Sequence, residues 1–124
     1  MKFFVSGKVG SDSDTKRLMH ELKKAGHEIT FDWTTIEHLR PYDKNTRASR
    51  EAAVLESRGV KDADVLVIIT HDRGVGLFVE MGIAIGAGIP VRVVTNDEDS
   101  RTMFFHHPLI KRVTDINQIL SEFC

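Results

Sequence analysis

The chain has 124 residues, enough for one domain, and its 41% apolar and 28% charged residues are typical of a globular protein rather than a disordered segment. A net charge of −1 argues against binding to nucleic acid or an anionic membrane through bulk charge, although a small anion could still be held locally. The single cysteine is Cys124, which excludes an internal disulfide, a cysteine-rich zinc site and a CxxC redox motif.

The first half of the chain predicts two strands separated by a helix. The apolar run Phe3–Ser6 is typical of a buried strand. A helix is expected to begin at Ser11–Asp14, whose side chains suit an N-terminus, and Gly26 supplies its C-terminal stop. Glu28–Trp33 predicts the second strand. Thr34–Lys44, with a proline and mixed polarity, predicts a loop.

The second half repeats this alternation. Asp64–Thr70 is the most strand-like segment because it is apolar on both faces, as central parallel strands are. The other predicted elements are a helix over Thr46–Gly59, a helix over Gly76–Gly88, a strand over Ile89–Thr95, a short edge strand at Lys111–Val113 and a last helix capped by Thr114.

This order of elements predicts one α/β domain over residues 1–124. Its core would be a doubly wound, flavodoxin- or Rossmann-like parallel sheet of four to five strands with helices on both faces. In such sheets ligands bind beyond the carboxyl ends of the strands, near the switch in strand order. Four segments follow predicted strands: Ser6–Lys8, Asp32–Trp33, His71–Gly76 and Thr95–Asp97.

The longest apolar stretch, Gly74–Val91, does not predict a membrane span because it is interrupted by Glu80 and rich in glycine. The opening residues become polar too soon for a signal peptide, so a cytoplasmic protein is expected.

Glu80 is the strongest candidate for chemistry. It is the only charged residue between Arg73 and Arg92, and its helical neighbours Ile83 and Ala84 place it on an apolar face. An isolated carboxylate there is costly unless it is paired, hydrogen-bonded or reactive. The alternative is a first-turn glutamate that only suits the helix dipole, but such a residue normally points to solvent.

Glu56 is a second, weaker candidate. It shares a face of small and apolar residues on its helix, where a carboxylate could orient a second carboxylate or a sugar hydroxyl. The alternative is an ordinary salt bridge to Arg50 or Arg58 on a solvated rim. The sequence leaves both interpretations open.

The turn after the first strand is a candidate phosphate site. Gly7 and Gly10 allow close backbone approach, Ser6 and Lys8 offer polar groups, and a helix N-terminus follows. The pattern matches neither G-x-G-x-x-G nor the Walker P-loop, so a plain strand-to-helix turn is the alternative.

Three further features follow the other strands. Asp72, before Gly74 and Gly76, either polarises a leaving group or shapes a turn. Trp33 either stacks on a base or belongs to the core or to a dimer contact. The pair His106-His107 is interpreted as a structural or interface loop, because adjacent histidines do not easily share a metal ion.

Glu56, the strand sequence DADVLVIIT and the segment GVGLFVEMGIAIGAGIPV together resemble the nucleoside 2-deoxyribosyltransferase-like family, which includes deoxynucleoside 5′-monophosphate N-glycosidases. The resemblance covers roughly Lys2–Val94. The family pattern G-x-x-x-E-x-G-x-A is matched by Gly76, Glu80, Gly82 and Ala84.

The resemblance implies that Glu80 is the nucleophile and that Glu56, placed seven residues before Ala63, orients the substrate. Asp72 is the nearest counterpart of a family aspartate that precedes the glutamate. Phe4 stands where many transferases have a tyrosine.

The function implied is that of an N-glycosidic-bond hydrolase or transferase acting on a (deoxy)nucleoside or its 5′-monophosphate, with no metal or redox cofactor. The expected partner is this small molecule, not nucleic acid or a membrane, and the family resemblance implies a homodimer or larger homo-oligomer. The alternatives are a non-catalytic nucleotide-sensing module on the same fold, or an interaction domain without a ligand.

Overall fold

A computed structural model describes residues 1–8, 13–36, 39–70, 74–96 and 102–124. Its strands are β1 (Lys2–Ser6), β2 (Glu28–Ile29), β3 (Val65–Ile69), β4 (Val91–Val94) and β5 (Ile110–Val113). Its α-helices are α1 (Ser13–Lys24), α2 (Thr46–Lys61), α3 (Gly76–Gly86) and α4 (Ile116–Phe123).

The strands form one five-stranded sheet in the order β2-β1-β3-β4-β5, and every pair in it is parallel. The predicted doubly wound α/β fold is therefore confirmed. In the register of β1 and β3, Ser6 lies opposite Ile68. The chain passes from β1 outward to β2 and then returns to the other side of β1, so the strand order switches between β1 and β3. Ligands of such folds bind at the carboxyl ends of these two strands.

Helices cover both faces of the sheet, with α1 beside α4 and α2 beside α3. Alternate residues of β1 contact opposite layers, as the pleat requires. The ring of Phe3 makes edge contacts with His27 and Phe123. The ring of Phe4 lies against Gly59 of α2, where an added Cβ would come within 2.9 Å of Phe4 Cδ2. Only glycine permits this close approach of the helix to the strand.

The centre of the core is formed by β1 and β3, which are covered on both sides. Their fully buried apolar residues are Phe3, Phe4, Val5, Leu66, Val67 and Ile68. Continuous apolar strands of this kind are typical of parallel sheets between two helical layers.

The second strand is shorter than the predicted Glu28–Trp33: it ends at Ile29, and a local cap follows three residues later. Asp32 lies just before a 3-10 turn over Trp33–Thr35, and its carboxylate accepts the backbone N–H of Thr34 at 3.0 Å. Such side-chain bonds to nearby backbone compete with strand pairing.

Three helix boundaries also differ from the prediction. The helix α2 ends at Lys61 rather than Gly59. The helix α3 ends at Gly86 rather than Gly88, and Gly88 then turns the chain with a positive φ of 73°. The cap of α4 is Asp115 rather than Thr114, since the Asp115 carboxylate accepts the N–H of Asn117 at 2.7 Å. In the described part of the chain no helix is long and apolar enough to cross a membrane.

Candidate active site

The carboxyl group of Glu80 lies in the interior, although the side chain belongs to an early turn of α3. The atom Oε2 is buried, and no residue in the described ranges is its hydrogen-bond partner. The pKa of Glu80 is raised to about 7: burial is the main cause, the Ser6 side chain lowers this pKa, and the charge of Glu56 raises it. Glu80 is thus a carboxylic acid that titrates near neutrality.

The position of Glu80 follows from the packing of α3. Leu77, Met81 and Ala84 are buried against the sheet, whereas Val79 is 62% exposed. Glu80 lies on the flank between these two faces, and the influence of Glu56 on its pKa identifies this flank as the one toward α2. The start of the helix is close as well, since a Cβ added to Gly76 would lie 4.0 Å from Glu80 Oε1.

Glu56 of α2 is partly buried, and this burial raises its pKa above the ordinary value. Neither Arg50 nor Arg58 forms an ion pair with it, although all three residues belong to the described helix. Of the two interpretations left open by the sequence, this geometry favours a carboxylate directed toward Glu80 over a salt bridge on a solvated rim.

The structure describes only part of the predicted phosphate site that follows β1. Ser6 is buried, Gly7 is half-buried and Lys8 is exposed, whereas Gly10 lies outside the described residues. A Cβ on Gly7 would collide with the hydroxyl of Thr15, a buried residue of α1, so glycine is required where strand and helix approach.

Trp33 is buried, with 8% of its surface exposed, and its indole Nε1–H donates to the Val5 carbonyl at 2.6 Å. An indole that is packed and hydrogen-bonded in this way favours the core interpretation over stacking on a base. Gly74 is buried, Gly76 is exposed at the start of α3, and Asp72 lies outside the described residues.

The histidine pair belongs to a structured connection before β5. His106 ends a 3-10 turn that begins at Met103, and His107 Nδ1 accepts the backbone N–H of Leu109 at 3.1 Å. Within the described ranges, no three His, Cys, Asp or Glu side chains lie together as metal ligands would. The backbone bond of His107 favours the interpretation as a structural loop.

The effect of Ser6 on the pKa of Glu80 was not predicted from the sequence, in which Ser6 belongs to the candidate phosphate turn. The alternation of side chains along β1 could have indicated that Ser6 faces α2. Phe4 and Ser6 share one face of the strand, and the ring of Phe4 marks this face as the one covered by α2. Sequence alone did not reveal that α3 and Glu80 cover the end of that face.

These features define an α/β protein with a flavodoxin-like strand order and a pair of desolvated carboxyl groups, Glu56 and Glu80, on the neighbouring helices α2 and α3. Over 98% of this chain and 99% of the other, the structure is similar to that of the CMP N-glycosidase BcmB from Clostridium botulinum, with a TM-score of 0.67 and 13% sequence identity. No family model and no curated protein sequence matches the chain.

Proposed function

We propose that this protein is an N-glycosidic-bond hydrolase that acts on a nucleoside 5′-monophosphate with Glu80 as the nucleophile. The observation that carries this proposal is the buried oxygen Oε2 of Glu80, for which the described part of the chain offers no hydrogen-bond partner. A carboxylate oxygen is costly in such a place unless a ligand or a reaction uses it. The similarity of the fold to a CMP N-glycosidase supports the same reaction class.

The reaction would proceed in two steps at the anomeric carbon. In the first, ionised Glu80 forms an ester bond with that carbon while the bond to the base nitrogen breaks, and its electron pair leaves with the base, which takes up a proton. In the second, water adds to the anomeric carbon as the ester bond breaks. Glu80 is then regenerated as a carboxylate, and the water's proton is released through a neighbouring base. The sugar keeps its configuration because two inversions occur.

Three other side chains have proposed roles in this reaction. Glu56, with a raised pKa beside Glu80, would bind a sugar hydroxyl or pass a proton. Asp72 would assist departure of the base. Lys8, which is exposed at the carboxyl end of β1, would bind the 5′-phosphate together with the glycine turn.

A homodimer is part of the same proposal. The helix α3 is apolar on nearly every side. Val79 of this helix and Val75, which directly precedes it, are 62% and 77% exposed. Apolar side chains in such a position are typical of a contact surface. Sedimentation of the purified chain would give a mass of two or more protomers, whereas a monomer at micromolar concentration would contradict this part of the proposal.

The enzymatic proposal is tested by incubating the protein with separate ribo- and deoxyribonucleoside 5′-monophosphates and measuring released base by chromatography. Glu80→Gln should lose about 10³-fold or more of the rate and still bind the nucleotide. A variant that keeps a tenth of the rate would exclude Glu80 as the nucleophile. Nucleotide binding without any release of base by the unmodified chain would instead identify the sensing module.

A further inference from the structure

We propose that two copies of this chain pair through the outward face of α2, with the two α2 helices antiparallel across a twofold axis near Val54. The proposal rests on the homodimer of the proposed function and adds the arrangement of its two copies. The observation that carries it is the order of charges along one side of α2.

One side of α2 faces away from the sheet. Ala52, Gly59 and Val60 are buried beneath the helix, and Glu56 is partly buried. On the opposite side, residues spaced by three or four positions form a continuous row, which we call the outer stripe. In chain order the outer stripe consists of Arg47, Glu51, Val54, Arg58 and the cap residue Asp62, all of which are exposed.

The charges of the outer stripe are complementary to those of the same stripe when it is reversed. From Arg47 to Asp62 the order is positive, negative, apolar, positive, negative. In an antiparallel pair centred between residues 54 and 55, Arg47 lies opposite the partner's Asp62, and Glu51 lies opposite the partner's Arg58. Each contact occurs twice, because a twofold interface uses the same surface of both copies. In a parallel pair in register, each charge would instead face its own copy, which is unfavourable.

The centre of the outer stripe is apolar. Val54 and its neighbour Leu55 are 49% and 42% exposed. A groove beside Val54 is lined in part by Ala53 and by Ile83 of α3, so the apolar surface continues toward α3. An apolar centre surrounded by charged groups is typical of interfaces between proteins.

The charged residues of the outer stripe are only partly paired within one copy. Arg47 lies 3.4 Å from Glu51, and both side chains are largely exposed. Arg58 and Asp62 form no ion pair with any residue in the described ranges. Because an exposed ion pair within a helix contributes little to stability, exchanging it for contacts between copies costs little. The antiparallel pair therefore gives Arg58 and Asp62 partners of opposite charge.

The first test is charge reversal in the full chain, with the dissociation constant of the dimer measured by sedimentation. Glu51→Arg and Arg58→Glu each place like charges opposite each other twice, so each should weaken the dimer by about 10-fold or more. The double variant Glu51→Arg/Arg58→Glu restores opposite charges and should recover most of the affinity. Lys24→Glu is the matched control, because Lys24 is an exposed residue of α1, in the layer formed by α1 and α4.

The second test is cross-linking through cysteine in a Cys124→Ser background, because Cys124 is an exposed free thiol. Val54→Cys lies near the twofold axis and should give a disulfide-linked dimer on mild oxidation. Arg47→Cys alone should not, because its two copies would lie about 20 Å apart along the antiparallel helices. Combining Arg47→Cys with Asp62→Cys should restore cross-linking, since these residues face each other across the interface.

The outcomes separate this arrangement from the rest of the proposed function. A dimer whose dissociation constant is unchanged in Glu51→Arg and Arg58→Glu would overturn the arrangement and leave the homodimer standing. Cross-linking of Arg47→Cys alone would indicate a parallel pair and would also overturn it. An unmodified chain that remains monomeric would overturn both the arrangement and the homodimer. Release of base from a nucleotide tests the hydrolase independently of all these results.

Discussion

Glu56 and Glu80 belong to different helices, yet the charge of Glu56 raises the pKa of Glu80. Both carboxyl groups are desolvated, and neither has an ion-pair partner among the described residues. Two such groups oppose each other's ionisation, so proton uptake at one depends on the state of the other. Burial is the main cause of the raised pKa of Glu80, and this coupling adds to it.

If Glu80 must be ionised to attack, kcat/KM should rise with pH through a midpoint near 7. Glu56→Gln removes a like charge, which lowers the pKa of Glu80 and moves this midpoint to lower pH whatever its effect on the maximum rate. Glu51→Gln is the matched control, because Glu51 is an exposed residue of the same helix that pairs with Arg47 at 3.4 Å. An unmoved midpoint in Glu56→Gln would show that the two carboxyl groups are not coupled.

The free energy of unfolding should fall as the pH rises, because the pKa of Glu80 is raised in the folded chain. The folded chain binds this proton more tightly than the unfolded chain, whose carboxyl has a pKa near 4.5. The stabilisation from the protonated form is complete below pH 4.5 and is lost as the pH rises through about 7. Glu80→Gln, which cannot ionise, should match the unmodified protein at pH 4 and exceed it at pH 8 by up to about 3 kcal/mol.

Urea unfolding at several pH values measures this difference. Glu122→Gln is a control of opposite sign, because the Arg92 guanidinium holds the pKa of Glu122 below its usual value. The stabilisation that ionised Glu122 gains from Arg92 is present above the ordinary carboxyl pKa and disappears as the pH falls. Glu122→Gln should therefore destabilise the fold at neutral pH and not in acid. A pH-independent effect of Glu80→Gln would mean that Glu80 ionises in a solvated environment.

The packing of β1 on α2 predicts opposite effects for two substitutions of glycine by alanine. Gly59→Ala places a Cβ 2.9 Å from the Phe4 ring, so it should destabilise the fold by about 1–3 kcal/mol. Gly82→Ala on α3 meets no atom within 4 Å and should stabilise by up to about 1 kcal/mol through its helix propensity. Thermal unfolding measures the stability of both variants. Equal changes in stability would contradict the close contact of Gly59 with Phe4.

The fold could be predicted because its central strands are apolar throughout, as in Asp64–Thr70, and because helices alternate with them. Glu80 was recognisable as the one charge of an apolar helix. The end of β2 was missed because the residues after Ile29 enter local hydrogen bonds around Asp32. The effect of Ser6 on the pKa of Glu80 was missed because it depends on how the helices pack on the sheet, which local patterns do not specify.

Recognition of phosphate is predicted to depend on Lys8. Lys8→Ala should weaken binding of a nucleoside 5′-monophosphate by about 1–3 kcal/mol, the range of a charge-assisted hydrogen bond, and leave binding of the free nucleoside nearly unchanged. Lys2→Ala is a control, because Lys2 is equally exposed but lies at the opposite end of β1. Calorimetric titration with both ligands measures the difference. Equal losses for the two ligands would show that this turn does not bind phosphate.

Hydrolysis, rather than transfer to a second base, is the predicted outcome of turnover. Transfer requires a glycosyl-enzyme that survives departure of the first base and a site that excludes water until another base arrives. In the family that the sequence resembles, many transferases have a tyrosine at the position of Phe4. Phe4 has no hydroxyl group, and its ring packs on Gly59. The proposed role of this turn in binding phosphate also agrees with the resemblance to a family that includes monophosphate glycosidases.

To distinguish hydrolysis from transfer, the protein is incubated with a deoxynucleoside 5′-monophosphate and an excess of a different free base, and the products are followed over time. Free sugar phosphate should accumulate while exchanged nucleotide stays a minor product, and raising the concentration of the second base should not change this ratio. Glu80→Gln serves as the background, because neither product forms without the covalent intermediate. If exchanged nucleotide dominates and sugar phosphate stays low, the chain is a transferase, and water must be excluded from the ester of Glu80 by groups other than a tyrosine on β1.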